Sequence, residues 1–164
     1  MSDHASSRRE GMRWGVAAMA GVVGGVILLV LQMLLEPVFV GGSPWGTPRM
    51  IAAVALGTEV LPPPETFDAG VFLTGVVLHL AMSALYGLAL GAITHGMFLE
   101  MAVIMGAVFG LALYVVNFYL LTALFPWFAG SRNWVTVFSY IVFGLATGWI
   151  LASRHTRRPA YTRL

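Results

Sequence analysis

The chain has no cysteine and no lysine. Without thiols there can be no disulfide, thiolate nucleophile, iron–sulfur cluster or Cys-type zinc site, and the redox compartment is not legible from them. Without lysine, Schiff-base and lysine-nucleophile chemistry is excluded. Charge of either sign is scarce: 10% of residues are charged, against about a quarter in soluble domains. What fills the chain instead is hydrocarbon, with a mean hydropathy of +0.84.

That hydrocarbon is concentrated in four runs, near Trp14–Leu35, Gly70–Ile93, Met101–Phe125 and Trp134–Ala152. Each is long enough to cross a hydrocarbon core as a helix, which takes about 20 residues. The expected fold is therefore an all-α integral membrane bundle of four transmembrane helices. Residues 1–13 and 154–164 read as polar tails around a single membrane domain over 14–153. No room is left for a second domain. The first run exceeds the ~7–15 apolar residues of a signal peptide and no small-residue cleavage site follows it, so it reads as a retained anchor.

All nine cationic side chains are arginine. Arg8, Arg9, Arg13, Arg154, Arg157, Arg158 and Arg163 lie in the tails, while Arg49 and Arg132 fall in the first and third connections. The positive-inside bias then puts both termini in the cytoplasm. These arginines flank membrane ends, so the basic balance reads as attraction to lipid headgroups rather than nucleic-acid binding. Trp14 and Trp149 fall at the predicted cytoplasmic ends and Trp45, Trp127 and Trp134 at the opposite edge, as two interfacial belts would require.

The first connection, residues 37–69, has the most internal structure outside the spans. Glu36-Pro37 marks the end of span one. Thr47-Pro48 reads as an N-cap with a first-turn proline, and Gly57 as a helix stop. The apolar stretch between them predicts a short helix lying in the outer interface. Pro62-Pro63-Pro64 is expected to be stiff and extended, and Thr66 with Asp68 to cap span two. The other two connections are short, which makes neighbouring spans antiparallel. Pro37-x-Phe39-x-Gly41 with Trp45 recurs as Pro126-x-Phe128-x-Gly130 with Trp134, and Gly-Leu-Ala-x-Gly occurs at Gly87–Gly91 and Gly144–Gly148. A parallel two-helix repeat would produce this; so would two similar helix ends meeting one interface.

Small residues one turn apart, Ala17-Gly21-Gly25, Gly106-Gly110 and Gly144-Gly148, permit close backbone approach, which drives helix association where lipid and leucine are equally apolar. They fit either packing within the bundle or an oligomer seam. Polar residues inside the spans are the sharper signal. Counted from the outer ends, Gln32, His79, Asn117 and Tyr140 fall at similar depth and predict one intramembrane cluster under the first connection. Glu36, Ser83, Tyr86, Tyr114 and Thr136 lie around it. Ionisable groups at such depth mark functional sites. His79 reads either as a proton-transfer group or as a neutral imidazole riveting the bundle through Asn117 or Tyr140.

Catalytic and metal sites are not expected. Ser83 and Ser139 lack a base-and-acid set. His95 lies a membrane thickness from His79, and His4 and His155 are in the tails, which excludes a bis-His haem within one chain. No zinc spacing and no phosphate-cradling glycine loop occur. No cofactor is predicted.

Gly41-Gly42-Ser43-Pro44-Trp45-Gly46, Arg49-Met50-Ile51-Ala52-Ala53, Leu61-Pro62-Pro63-Pro64 and Asn117-Phe118-Tyr119 resemble a group of small four-span bacterial membrane proteins with no established activity, some carrying the label sodium:proline symporter. The resemblance runs from span one through span four. It implies the bacterial inner membrane and supplies no catalytic residue. The leading expectation is a non-enzymatic accessory, assembly or stabilising subunit whose partners are the bilayer and other membrane subunits or itself. The alternatives are a small homo-oligomeric transporter or channel using the outer polar cluster, and a haem- or quinone-associated redox membrane protein.

Overall fold

The computed structural model describes residues 13–63 and 66–155. Four helices in it are long and apolar enough to span a membrane: α1 (Trp14–Phe39), α3 (Ala69–Thr94), α4 (Leu99–Val115, continued by irregular turns to Ala123) and α5 (Trp134–His155). A shorter helix, α2 (Gly46–Leu56), lies in the first connection. Most of both tails falls outside the described residues.

The helices turn their small and polar residues inward and their large apolar ones outward. On α1 the buried positions are Ala17, Ala20, Gly21, Gly24, Gly25, Leu28, Leu29 and Gln32, one stripe at helical spacing. The exposed ones include Met19, Val23, Val26, Val30 and Leu34. Small residues inside and large apolar residues outside is the pattern a lipid solvent selects. This is a small polytopic membrane protein whose outer surface meets the bilayer.

Each glycine stripe is spent on a helix of the same chain. A Cβ on Gly87 would strike the carbonyl of Ala17 and come within 2.6 Å of the Gly21 backbone. One on Gly144 would strike the carbonyl of Gly106 and come within 3.1 Å of the Gly110 nitrogen. Gly148 meets Ala102 in the same way. The residue offset that carries Pro37 onto Pro126 also carries Ala17 onto Gly106 and Gly21 onto Gly110, so the α1–α3 and α4–α5 hairpins are built on equivalent contacts.

Packing around the bundle is unequal. α4 lies tightly on α5, α5 on α1, and α1 on α3, whereas α3 and α4 scarcely touch although only residues 95–98 separate them. The cross-section is a horseshoe open between α3 and α4. α5 sits at its centre, with Thr136, Ser139, Phe143, Gly144 and Thr147 buried. The hydroxyls of Ser139 and Thr147 donate to the carbonyls one turn back, Val135 and Phe143, each at 2.8 Å, which satisfies these buried polar groups within their own helix.

α2 roofs one end. Its Pro48 carbonyl sits against Gly75 of α3. The Arg49 guanidinium donates to the carbonyl of Val60 at 2.8 Å and to that of Thr66 at 2.5 Å, gathering the connection beneath it. Trp45, Phe67 and Phe72 form an aromatic cluster with centroids 4.9–5.8 Å apart. From the opposite side Trp127 Nε1 donates to the Met50 carbonyl at 3.0 Å. Trp45 and Trp127 are therefore bound into the roof, while Trp14, Trp134 and Trp149 stay exposed as belt residues.

Several local expectations change. Pro37 lies within α1, not after it: near a helix end it forfeits one N–H without ending the helix. Thr47 does not cap α2, which begins at Gly46 and has no side-chain cap; its hydroxyl donates to Glu36 instead. Gly57 does end that helix, at φ +86°, with its N–H on the Ala53 carbonyl. Asp68 alone caps α3, accepting from the Val71 N–H at 2.9 Å, while the Thr66 carbonyl is held by Arg49. Pro64 lies outside the described residues. Asp68→Ala is expected to cost about 1 kcal/mol, the usual value of such a cap, read as a lower unfolding temperature in detergent with the spectrum of the folded state unchanged.

Candidate functional site

The third run is the one span that is not a continuous α-helix. After Val115 the backbone widens into a π-turn over Val116–Leu120, then tightens through Leu121–Ala123. Arg132, from the following connection, meets the altered backbone: Nε donates to the Phe118 carbonyl at 2.7 Å, Nη2 to the Thr122 hydroxyl at 3.0 Å, and the guanidinium lies 4.5 Å over the Tyr119 ring. π-turns accumulate at functional sites because they redirect side chains. Here Phe118 is buried and its neighbour Asn117 also borders the bundle's interior cavity.

That cavity, about 300 Å³, fills the gap between α3 and α4 under the roof. Leu78, His79, Met82, Ser83 and Tyr86 line it from α3, and Asn117, Phe118 and Leu121 from the far side. Leu28, Tyr140 and Phe143 form the back, and Ile51 and Val54 the ceiling. Met82 and Val54 are 44% and 43% exposed. With α3 and α4 held apart, these rim residues make the mouth open sideways, toward lipid. A second chamber of about 30 Å³ adjoins it beneath α2, bordered by Gln32, Thr47, Met50 and Ser131 and by shared residues including His79 and Tyr140. Among the described residues no Asp, Glu, Arg or Lys borders either chamber.

Gln32, His79, Asn117 and Tyr140, expected as one cluster, lie around these two adjoining chambers, while Glu36 and Thr136, expected at its periphery, form a separate group. In the cleft the Asn117 amide joins three helical segments: Oδ1 accepts from the Tyr86 hydroxyl at 3.2 Å and Nδ2 donates to the Tyr140 oxygen at 3.0 Å. This is a direct tie between the two walls that otherwise stand apart. His79 is bonded to neither Asn117 nor Tyr140. Its Nε2 lies 2.8 Å from the Gly25 carbonyl on α1, and because a carbonyl only accepts, Nε2 carries the proton. Ser83 donates to the His79 carbonyl at 2.7 Å, so its hydroxyl is not activated by the imidazole. Gly25 admits this group: a Cβ there would strike Ser83.

The second cluster surrounds Glu36. Its carboxylate accepts from the Thr47 hydroxyl at 2.8 Å and the Thr136 hydroxyl at 3.1 Å, tying α1, α2 and α5 together at the roofed end. Asn133 accepts from the Thr136 N–H at 3.0 Å and so caps α5. Tyr114 stays out of the cleft, stacked among Phe118, Tyr119 and Tyr140 at centroid distances of 5.3–6.3 Å. Gln32 is 3% exposed, faces the small chamber, and has no hydrogen-bond partner among the described residues.

Residue-by-residue reading passed over the aromatic wall: Phe118, Phe125 and Phe128 line the cleft and pack edge to face with centroids 6.0–6.2 Å apart. Their density near the end of span three was a usable signal. Among the described residues no group of three or more His, Cys, Asp or Glu could hold a metal ion. The arrangement is chemically suited to binding: an apolar slot with a neutral hydrogen-bonding end. No family model, curated protein or solved structure matches the chain, so a functional reading rests on the chemistry of this cleft.

Proposed function

We propose that the protein is a non-enzymatic accessory component of the bacterial inner membrane that holds a bilayer-borne molecule between α3 and α4. The supporting observation is the laterally open cavity of about 300 Å³ with the Tyr86–Asn117–Tyr140 tie at its polar end. Ligand sites are typically concave and mostly apolar, with a few placed polar groups. With both termini in the cytoplasm, as the arginine bias implies, the roofed end and the cleft lie in the outer half of the membrane. The four-span resemblance supports the bacterial setting.

Met82→Trp fills the mouth without touching the polar end. Native mass spectrometry from nanodiscs is expected to show lipid-sized adducts on the wild type and at least a fivefold loss of them in this variant. Stability should stay within about 0.5 kcal/mol, as for most surface changes. Equal adduct occupancy in the two proteins would overturn the proposal.

The second reading, a subunit that docks on a larger complex, draws on the same opening: Val77, Leu85, Ile104 and Val108 leave α3 and α4 exposed and apolar, and a partner's span would complete the horseshoe. A protein partner retained in mild detergent and lost in Met82→Trp favours that reading over a lipid.

A further inference from the structure

The small chamber beneath α2 carries information about the head of the molecule that the cleft would hold. This inference rests on the proposed binding role of the cleft and narrows the ligand.

Free hydrogen-bonding capacity can be counted from the contacts. His79 uses Nε2–H on Gly25, leaving Nδ1 as an acceptor. The Asn117 amide accepts from one tyrosine and donates to the other. Whichever way that amide is turned, one of the two hydroxyl protons stays unused; in the arrangement described it is that of Tyr140. Gln32 retains its whole amide, donors and acceptor. No side-chain nitrogen or oxygen among the described residues is both fully buried and unpartnered, so the unused atoms of Gln32 and His79 face open space. Gln32, His79 and Tyr140 all border the inner chamber. Gln32 is 3% exposed and its unpartnered amide opens onto the chamber, where a guest can supply the missing bonds.

We infer that the inner chamber receives the hydroxyl at the neutral head of a lipid-soluble molecule whose remaining body lies in the outer cleft. A hydroxyl both donates, to His79 Nδ1, and accepts, from Tyr140 or the Gln32 amide. The volume of about 30 Å³ admits such a group, since a water needs roughly 10–15 Å³ on this measure. A phosphate head is disfavoured because no cation among the described residues borders either chamber, and Arg49 and Arg132 are engaged with backbone carbonyls outside. Phenolic lipids such as quinols and aliphatic ones such as glycerides share this chemistry.

The test uses the full chain, delipidated and placed in nanodiscs, with four probes of equal chain length: decylhydroquinone, 1-decanoylglycerol, decylbenzene and decyl phosphate. Bound probe is counted by native mass spectrometry. At least one hydroxyl-bearing probe is expected to bind tenfold more tightly than decylbenzene, and which one does so identifies the source. Gln32→Leu, which removes the unpartnered amide and leaves an apolar side chain, is expected to abolish that preference, bringing the ratio of hydroxyl-probe to decylbenzene binding to about one. Gln32→Met serves in the same role if the leucine variant does not fold. Equal binding of decylbenzene and the hydroxyl probes, tighter binding of decyl phosphate, or a preference that survives loss of the amide overturns the head-group inference and leaves the cleft reading intact. Failure of all four probes to bind overturns the cleft reading itself.

Discussion

Gly144→Leu is expected to leave almost no folded protein. The residue sits where α4 and α5 lie closest, and even a Cβ there would strike the Gly106 carbonyl. That atom belongs to a helix backbone, so it cannot turn aside as a side chain would. The helices must separate, and the neighbouring approaches, Gly148 to Ala102 and Gly110 to the Tyr140 carbonyl, are lost with them. Overpacking of a core commonly costs about 1–3 kcal/mol and occasionally more, and rigid backbone on both sides places this case at or above the upper end. Out of a typical stability of about 5–15 kcal/mol, the loss is expected to appear as a collapse of folded yield and as unfolding at much lower SDS fraction. Leu145→Ala, one residue away on the exposed face, is the contrast and should change little. A Gly144→Leu protein with wild-type unfolding would refute the packing described for this seam.

Asn117→Leu is expected to act less on stability than on the shape of the cleft. The substitution removes both bonds of the Tyr86–Asn117–Tyr140 tie. Hydrogen bonds between membrane helices average about 0.6 kcal/mol and reach about 1.7, so a loss of about 1–2 kcal/mol follows for the pair. Few contacts otherwise hold α3 to α4, and the walls should therefore drift apart. Spin labels at exposed Leu85 and Leu111 should report a broader and longer distance distribution than in wild type. Retained lipid in mild detergent should fall at least tenfold. Unchanged distances would mean that the tie does not hold the walls.

The four spans were legible because burial in lipid is written in composition: long apolar runs end where Trp, Pro and Arg begin. The glycine stripes were legible as stripes, but their partners were not. Nothing in Ala17-Gly21-Gly25 names Gly87, since close approach depends on two backbones meeting and not on one side chain. His79 was expected to bond Asn117 or Tyr140, and that partner is missed for a related reason: the acceptor is the Gly25 carbonyl, and a backbone group has no identity in a sequence. Thr47 stood at a favourable capping position, but a carboxylate at Glu36 offered its hydroxyl a stronger bond. The π-turn was hidden inside an apolar stretch that reads as plain helix. What accompanies it there is Arg132, fourteen residues further along, and local propensity cannot anticipate a contact at that separation. Depth counting put Gln32, His79, Asn117 and Tyr140 at one level, and all four do border the two adjoining chambers; the division that set Glu36 and Thr136 apart required knowing which way each helix was rotated.

The sideways mouth carries a thermodynamic corollary. A guest that reaches it has already left water, and the roughly 0.8 kcal/mol per methylene of that transfer is supplied by the bilayer. The protein has only to improve on hydrocarbon, through a handful of directed bonds and a fitted outline. Partitioning would thus govern how much guest is recruited, and recognition would govern only which one is kept. Apparent affinities referred to bulk solution would lengthen with the tail even where discrimination had been destroyed, so the informative quantity is the ratio between two guests of matched chain.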